Sequence, residues 1–187
     1  MSGDRILHAR RVHDGWFSVE MLTAELGGDR VERGLVLHPS GATVLAYDPE
    51  RRVAMTVSET RLPVLREGRP PLVEAIAGSL DDDAPEDCAR REALEEAGVQ
   101  LDVLEPVGTV WMTPSTSTER VHLFLAAYRA SDRVGEGGGL AEEAEHLRVR
   151  EVPLAQLAAW ADDGTLADAK TLLTVQALRL RRPDLFA

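Results

Sequence analysis

The sequence predicts a mixed α/β protein, of either the α/β or the α+β class. Short apolar stretches that alternate or run like buried strands are interleaved with stretches of helical periodicity along the 187 residues. The hydrophobic content of 44% is enough to form the core of one domain. No internal repeat and no low-complexity linker interrupts the chain.

The N-terminal region is predicted to consist of strands. Residues 5–39 form three short strand-like stretches, and Gly27–Arg30 is typical of a hairpin turn between the last two. Two stronger strands are expected at Ala42–Asp48 and Arg52–Ser58. The link between them begins with Pro49, which favours a turn.

The middle of the chain alternates between loops and strands. Residues 61–72, which contain three prolines and a glycine, are predicted to be a loop, and residues 72–78 a brief strand. Buried strands are expected within residues 103–112 and 120–130. Residues 131–146 have no regular period and are predicted to form a mobile acidic loop.

A helix is predicted from Ala84 to Ala97. Asp83 is the expected cap and would form a capping box with Glu86, while Gly98 is expected to end the helix in a left-handed conformation. The later elements are predicted to be a strand at 147–154 and two helices, Leu154–Asp163 and Asp168–Arg181.

The charge balance limits the possible partners. The formal net charge is −11, so the surface repels nucleic-acid phosphates and anionic lipids, and neither nucleic acid nor a membrane is expected as a partner. An anionic substrate would require a recruited cation such as a divalent metal ion. The single cysteine, the missing signal-peptide core and the absence of a membrane-length apolar run predict a cytoplasmic protein.

The helix at 84–97 carries an unusual group of carboxylates. Glu92 and Glu96 are one turn apart on the same face, which is unfavourable for like charges unless a cation lies between them. Glu95 lies beside them, within reach of Arg91 at i+4. Oxygen ligands of this kind suit Mg²⁺ or Mn²⁺. The alternative is that these side chains only form the solvated face of an amphipathic helix.

The surrounding sequence, AGSLDDDAPEDCARREALEEAGV (residues 77–99), resembles the signature of the Nudix hydrolases. The second half of that signature, from Arg91 to Val99, matches without a gap. The first half departs from it, because the signature glycine is displaced to Gly78 and Asp83 stands where a glutamate is usual. The form VEAIAGSLD (residues 73–81) resembles the branch that contains GDP-mannose and ADP-ribose pyrophosphatases.

The resemblance implies a set of site residues. The metal ligands would be Glu92, Glu95, Glu96 and the backbone carbonyl of Ala77, together with Glu145, which the glycines at 137–139 would deliver as a hinge. Glu145 would also be the general base, with Glu143 the second choice, and Glu92 and Glu96 would take part in catalysis. The residues implied to lie near the substrate are Arg61, Glu74, Gly78, Glu119 and Lys170.

The resemblance also implies the fold, the assembly and the reaction. A mixed sheet between helices would span residues 41–187, and residues 1–40 would form a small β-region that mediates a homodimer. The expected reaction is Mg²⁺-dependent hydrolysis of the diphosphate in a nucleoside-diphosphate sugar. Two alternatives remain open: hydrolysis of another nucleoside diphosphate derivative such as a dinucleotide, and a non-catalytic module that binds nucleotide sugars.

Overall fold

The chain divides into two compact units. The computed structural model describes residues 3–15, 17–139 and 147–187. The first unit comprises Met1–Ser40 and Val110–Arg120, and the second comprises Gly41–Thr109 and Val121–Ala187. None of the helices in the described part of the chain has the length and apolar character needed to cross a membrane.

The first unit contains an antiparallel three-stranded sheet. Its strands are β1 (Arg5–Asp14), β2 (Ser18–Leu26) and β3 (Asp29–Leu37), which confirms the three predicted strands. The predicted hairpin turn lies between β2 and β3, where Gly27 and Gly28 have φ angles of 59° and 93°. These angles favour glycine because it lacks a Cβ. Every residue of β1 is exposed.

The second unit is built on a mixed sheet with the order β7-β8-β4-β5-β9. Strand β4 runs parallel to β8 along one edge. Its other edge is shared by two antiparallel neighbours, β6 at its start and β5 at its end. The bounds of these strands are β4 Gly41–Asp48, β5 Val53–Thr56, β6 Ile76–Ser79, β7 Glu105–Trp111, β8 Arg120–Ala127 and β9 Arg150–Pro153.

Helices cover both faces of this sheet, so the predicted layered α/β fold is confirmed. Helix α2 (Pro85–Ala97) packs on β4 and β6, while α3 (Leu154–Asp163) and α4 (Ala169–Arg181) pack together on the opposite face. Successive side chains of β4 point to opposite faces of the sheet, so the strand contributes to two separate cores. Val44 belongs to the core that contains the α2 alanines, and its neighbour Leu45 belongs to the core that contains α3 and α4.

Three local predictions were wrong. The strand within 103–112 forms as β7, but none of its residues is buried. The predicted loop at 61–72 contains a short helix, α1 (Leu62–Arg66), because a proline in the first turn does not break a helix. Helix α2 is capped by Ala84 without a side-chain hydrogen bond, so the capping box predicted for Asp83 and Glu86 is absent. The carboxylate of Asp83 instead accepts a hydrogen bond from Arg91, at 3.0 Å.

An arginine cluster fixes the turn between β4 and β5. Arg51 donates to Asp48 at 2.6 Å and to both carboxylate oxygens of Glu151 on β9, each at 2.7 Å. The hydroxyl of Tyr128 also donates to Glu151, at 2.8 Å. The hydrogen bond from Arg51 lowers the pKa of Glu151, and this effect outweighs the burial that acts in the opposite direction. The cluster therefore joins the turn to β9 and to the residue that follows β8.

Candidate active site

Helix α2 presents two carboxylates to the edge of strand β6. The same helix packs on the sheet through buried alanines at 89, 93 and 97. The backbone N–H of Ala77 donates to Oε2 of Glu96 at 3.1 Å, and Glu96 is only 2% exposed. A Cβ on Gly78 would overlap the carboxylate of Glu92. Both carboxylates therefore lie against the backbone at Ala77–Gly78.

One arginine holds three of the neighbouring carboxylates. Arg91 donates to Asp83 at 3.0 Å, to Glu92 at 2.8 Å and to the predicted partner Glu95 at 3.2 Å. It also donates to the carbonyl of Ser79, at 3.2 Å. Burial alone would lower the pKa of Arg91, but the bond to Asp83 and the charge of Glu92 raise it above its ordinary value. Arg91 therefore remains a fixed positive charge within an acidic group.

A second charged group surrounds Glu74, which is 4% exposed. Arg61 donates to both carboxylate oxygens of Glu74, at 3.1 and 3.2 Å, and also pairs with Glu59 at 2.7 Å. The ammonium of Lys170 lies 3.7 Å from Glu74. Burial would lower the pKa of the Arg61 guanidinium, but its bond to Glu74 and the negative charges of Glu74, Glu59 and Glu96 raise it above its ordinary value. The predicted substrate residues Arg61, Glu74 and Lys170 thus lie together beside the α2 carboxylates.

The first turn of α4 anchors this second group. Asp168 accepts from the ammonium of Lys170 at 2.7 Å, and its other oxygen accepts from the backbone N–H and the hydroxyl of Thr171. The Thr171 hydroxyl accepts in turn from the N–H of Ala75, at 2.6 Å. Asp168 therefore gives Lys170 a structural partner within the same helix turn. Sequence reasoning did not single out Asp168 or Thr171, although their spacing in DAKT is typical of a helix cap.

Three further residues were predicted for the site, Glu119, Glu143 and Glu145. Glu119 belongs to the first unit, where its carboxylate is 3.9 Å from Nδ1 of His38. Glu143 and Glu145 lie outside the described residues. The glycines at 137–139 are described and lie against the end of α2, since the N–H of Gly138 donates to the carbonyl of Glu96 at 2.8 Å.

The chemistry of the α2 carboxylates fits a divalent cation. Glu92 and Glu96 are hard oxygen donors, and the N–H of Ala77 fixes the orientation of Glu96. Within residues 3–15, 17–139 and 147–187, no group of three or more His, Cys, Asp or Glu side chains has the arrangement of a metal site. Among the described residues, Glu92 and Glu96 are the carboxylates that lie against the backbone at Ala77–Gly78.

A thiol nucleophile is not supported by the geometry. Cys88 is fully buried, and its Sγ donates to the carbonyl of Ser79 at 3.2 Å. Burial, with a smaller contribution from the charge of Glu92, raises the pKa of Cys88 to about 11. The thiol is therefore protonated at neutral pH and shielded from solvent.

Known proteins match this sequence over most of its length. The family model described as NUDIX domain matches residues 37–174. GDP-mannose pyrophosphatase from Cronobacter sakazakii is 40% identical over 76% of this chain and 74% of its own. The protein of the same name from Yersinia enterocolitica is 34% identical over 86% of this chain and 87% of its own.

A solved structure described as an ADP compounds hydrolase superposes with a TM-score of 0.78 at 19% identity, covering 97% of this chain and 95% of that chain. This likeness confirms the fold expected from the sequence resemblance. The family match extends over well more than half of the chain and includes both α2 and the Glu74 group. The chain belongs to the NUDIX domain family.

Proposed function

We propose that this protein is a divalent-metal-dependent pyrophosphohydrolase that cleaves the diphosphate of a nucleoside-diphosphate sugar. The observation that carries the proposal is the placement of Glu92 and Glu96 against the backbone at Ala77–Gly78. The names of the relatives support a substrate of the GDP-mannose type, and the structural neighbour, an ADP compounds hydrolase, suggests an ADP compound.

Glu92, Glu96 and the carbonyl of Ala77 would hold the cation, with Glu95 contributing through water. Mg²⁺ is the proposed ion, because the donors are hard oxygens, and Mn²⁺ would substitute for it. A bound divalent ion neutralises charge on a diphosphate and lowers the pKa of a coordinated water. The chain itself orients Glu96 through the N–H of Ala77 and restrains Glu92 and Glu95 through Arg91.

The Glu74 group would bind the substrate next to the cation. Both carboxylate oxygens of Glu74 accept hydrogen bonds from Arg61 and fix its position. The Arg61 side chain is still 42% exposed, so part of it is accessible to a ligand. Lys170 is restrained by Asp168 in the same way. We also propose Gly78 and Glu119 as substrate contacts on the basis of the family resemblance; Gly78 lacks the side chain that would collide with the Glu92 carboxylate.

We propose Glu145 as the general base that takes a proton from the attacking water. The water oxygen forms a bond to one phosphorus atom while the bond from that phosphorus to the bridging oxygen breaks. The products are a nucleoside monophosphate and a sugar phosphate. Glu145→Gln should slow turnover with little change in substrate affinity, measured as separate effects on kcat and KM. Wild-type turnover would move the base elsewhere, and Glu143→Gln is the next variant to test.

The assembly is a separate part of the proposal. We propose that residues 1–40 mediate a homodimer and that residues 41–187 form the catalytic domain of a cytoplasmic enzyme. The exposed strand β1 supports a role for this region in association, since a sheet edge readily pairs with another strand. Light scattering of the full chain should give the mass of a dimer, and a monomeric mass over the tested concentrations would reject this part.

A substrate panel tests the proposed reaction. The purified chain is incubated with Mg²⁺ and GDP-mannose, ADP-ribose, other nucleotide sugars or dinucleotides, and a phosphatase then releases phosphate from the products. We expect the highest kcat/KM with a nucleotide sugar. Preference for a dinucleotide would replace the proposed substrate class. Tight binding of a nucleotide sugar without phosphate release would instead support a non-catalytic binding module.

A further inference from the structure

We propose that a backbone contact between Gly98 and the segment 135–139, which we call the glycine clasp, positions the catalytic end of α2. The family resemblance predicted that the glycines at 137–139 act as a hinge. The structure instead holds them against the last turn of the helix that carries Glu95 and Glu96. The functional consequence of the clasp rests on the proposed metal-dependent activity, but the contact itself can be tested without it.

The first observation is the hydrogen bonding of the clasp. The N–H of Gly138 donates to the carbonyl of Glu96 at 2.8 Å, and the N–H of Gly139 donates to the carbonyl of Glu95 at 3.3 Å. The last carbonyls of a helix have no partner within the helix. The clasp therefore satisfies carbonyls of the same two residues whose side chains belong to the proposed metal site.

The second observation is the closeness of the two backbones. Gly137 has a φ of +70°, and a Cβ there would overlap the carbonyl of Glu96 and the backbone of Ala97. Gly98, the cap of α2, has a φ of +65°, and a Cβ there would overlap the carbonyl of Gly135. Because the atoms on both sides belong to the backbone, they cannot rotate away as a side chain would. Glycine is thus required at 98 and 137 by space as well as by φ.

The third observation is that the clasp joins α2 to another part of the site. The carbonyl of Gly138 accepts from the N–H of Leu147 at 3.3 Å. The next residue, Arg148, exchanges two backbone hydrogen bonds with Ser58, at 3.0 and 3.1 Å. Ser58 lies three residues before Arg61 in the chain. One short backbone path therefore connects the end of α2 with the segment that leads to the proposed substrate arginine.

These contacts favour a positioning role over a hinge. A hinge needs backbone that changes conformation without losing hydrogen bonds. Movement at Gly138 would break a bond to Glu96 and a bond to Leu147 together. A small displacement of the last turn of α2 would also move the Glu96 carboxylate from the N–H of Ala77. Groups that orient metal ligands strongly affect metal affinity even when they do not touch the ion.

Amide hydrogen exchange of the metal-free protein tests the contact directly. We expect exchange at Gly138 to be slowed by at least about tenfold relative to an unprotected amide, because its N–H is bonded to a helix carbonyl. Exchange at Gly138 at the unprotected rate would overturn the clasp. This measurement needs neither substrate nor turnover, and it applies to the wild-type chain.

Gly137→Ala tests the consequence for the metal site. We expect the dissociation constant for Mn²⁺, followed by electron paramagnetic resonance without substrate, to rise by about tenfold. Gly164→Ala is the matched control, because Gly164 has a φ of +81° but nothing lies within 4 Å of a Cβ added there. Gly135→Ala is a control within the segment, since its added Cβ would make only an ordinary contact. Both controls should bind Mn²⁺ within about twofold of the wild type.

Equal Mn²⁺ affinity in Gly137→Ala and in the two controls would overturn the positioning role. If Gly137→Ala does not fold, amide exchange of the wild type still decides whether the clasp exists. A wild type that binds Mn²⁺ and shows the clasp but hydrolyses no nucleotide sugar would reject the proposed function alone. A wild type that hydrolyses nucleotide sugars with an unprotected Gly138 would reject the clasp alone.

Discussion

Two arginine clusters in the second unit use the same kinds of side chain for different purposes. Arg51 faces two carboxylates, Asp48 and Glu151, and the cluster is completed by the Tyr128 hydroxyl. Arg91 faces three carboxylates, and the buried Glu96 lies near the same strand edge. The Arg51 cluster joins strands. The Arg91 cluster instead concentrates negative charge against the backbone at Gly78, a residue without a side chain.

The difference lies in what each acidic group faces. Asp48 is 3% exposed and accepts two backbone N–H bonds as well as the bond from Arg51. The Glu92 carboxylate occupies the position that a side chain at residue 78 would fill, and Arg91 is the side chain that donates to it. Buried carboxylates that face mainly donors stabilise a fold, while carboxylates in excess of the donors around them are suited to a cation. We therefore expect changes in the first cluster to affect stability and changes in the second to affect activity.

The largest expected effect is from Glu96→Gln. Loss of this charge should lower kcat by at least about a thousandfold with the fold retained, because the carboxylate is a proposed metal ligand. Kinetics on the best substrate of the panel and the melting temperature of the variant would measure the two effects. The exposed Glu86 on the same helix provides the control Glu86→Gln, which should be nearly normal. Normal turnover of Glu96→Gln would contradict the metal-site assignment.

Gly78→Ala should have the next largest effect. The added Cβ would displace the Glu92 carboxylate, but this group is the end of a flexible side chain and can rotate away. We expect kcat/KM to fall by about ten- to a hundredfold with little loss of stability. Gly108→Ala in β7 is the matched control, because nothing lies within 4 Å of its added Cβ. Equal activity of the two variants would show that the space at Gly78 has no functional role.

Arg51→Met should give the opposite pattern. Removal of the Arg51 guanidinium would leave the buried Asp48 with backbone donors only and would break two bonds to Glu151. We expect the free energy of unfolding to fall by about 1–2 kcal/mol, while kcat changes by less than about twofold. Urea denaturation and steady-state kinetics of the same preparation would measure both. A large loss of activity without a loss of stability would reject the separation of the two clusters.

The smallest effect is a pH dependence of that stability difference. Arg51 lowers the pKa of Glu151 below its ordinary 4.5. Burial would raise the pKa of Asp48, but the backbone and side-chain bonds from Arg51, together with the backbone N–H of Glu50, lower it below 3.8. Stability from carboxylates with lowered pKa values is present above their unfolded pKa values and is lost as the pH falls through the folded ones. The difference in unfolding free energy between wild type and Arg51→Met should therefore shrink between pH 7 and pH values below 3.8. A difference that is constant over this range would contradict the role of the two carboxylates.

The sequence predicted the parts of the structure that depend on local patterns. The stretch Ala42–Asp48 predicted a strand, which β4 confirms, and the spacing of Glu92 and Glu96 predicted a shared helix face. The left-handed cap at Gly98 was also predicted correctly, with φ 65°. Such features are set by residues within one or two turns of each other, so a single sequence contains them.

The features that sequence reasoning missed depend on contacts between distant segments. Asp83 was predicted to cap α2, but its carboxylate accepts a bond from Arg91, eight residues later. That bond forms only once the chain has folded, so the local sequence does not indicate it. The bond between Thr171 and Ala75 spans 96 residues and has no local signal. The same is true of Gly138 and Glu96: the glycines indicated a loop and a hinge, but not the helix end against which they pack.

The central claim, that the α2 carboxylates hold a divalent cation, is tested most directly by Mn²⁺ titration of the metal-free chain without substrate. We predict saturable binding by the wild type and by Glu86→Gln, and a dissociation constant raised by at least about tenfold in folded Glu96→Gln. Equal Mn²⁺ affinity in wild type and folded Glu96→Gln would contradict the account.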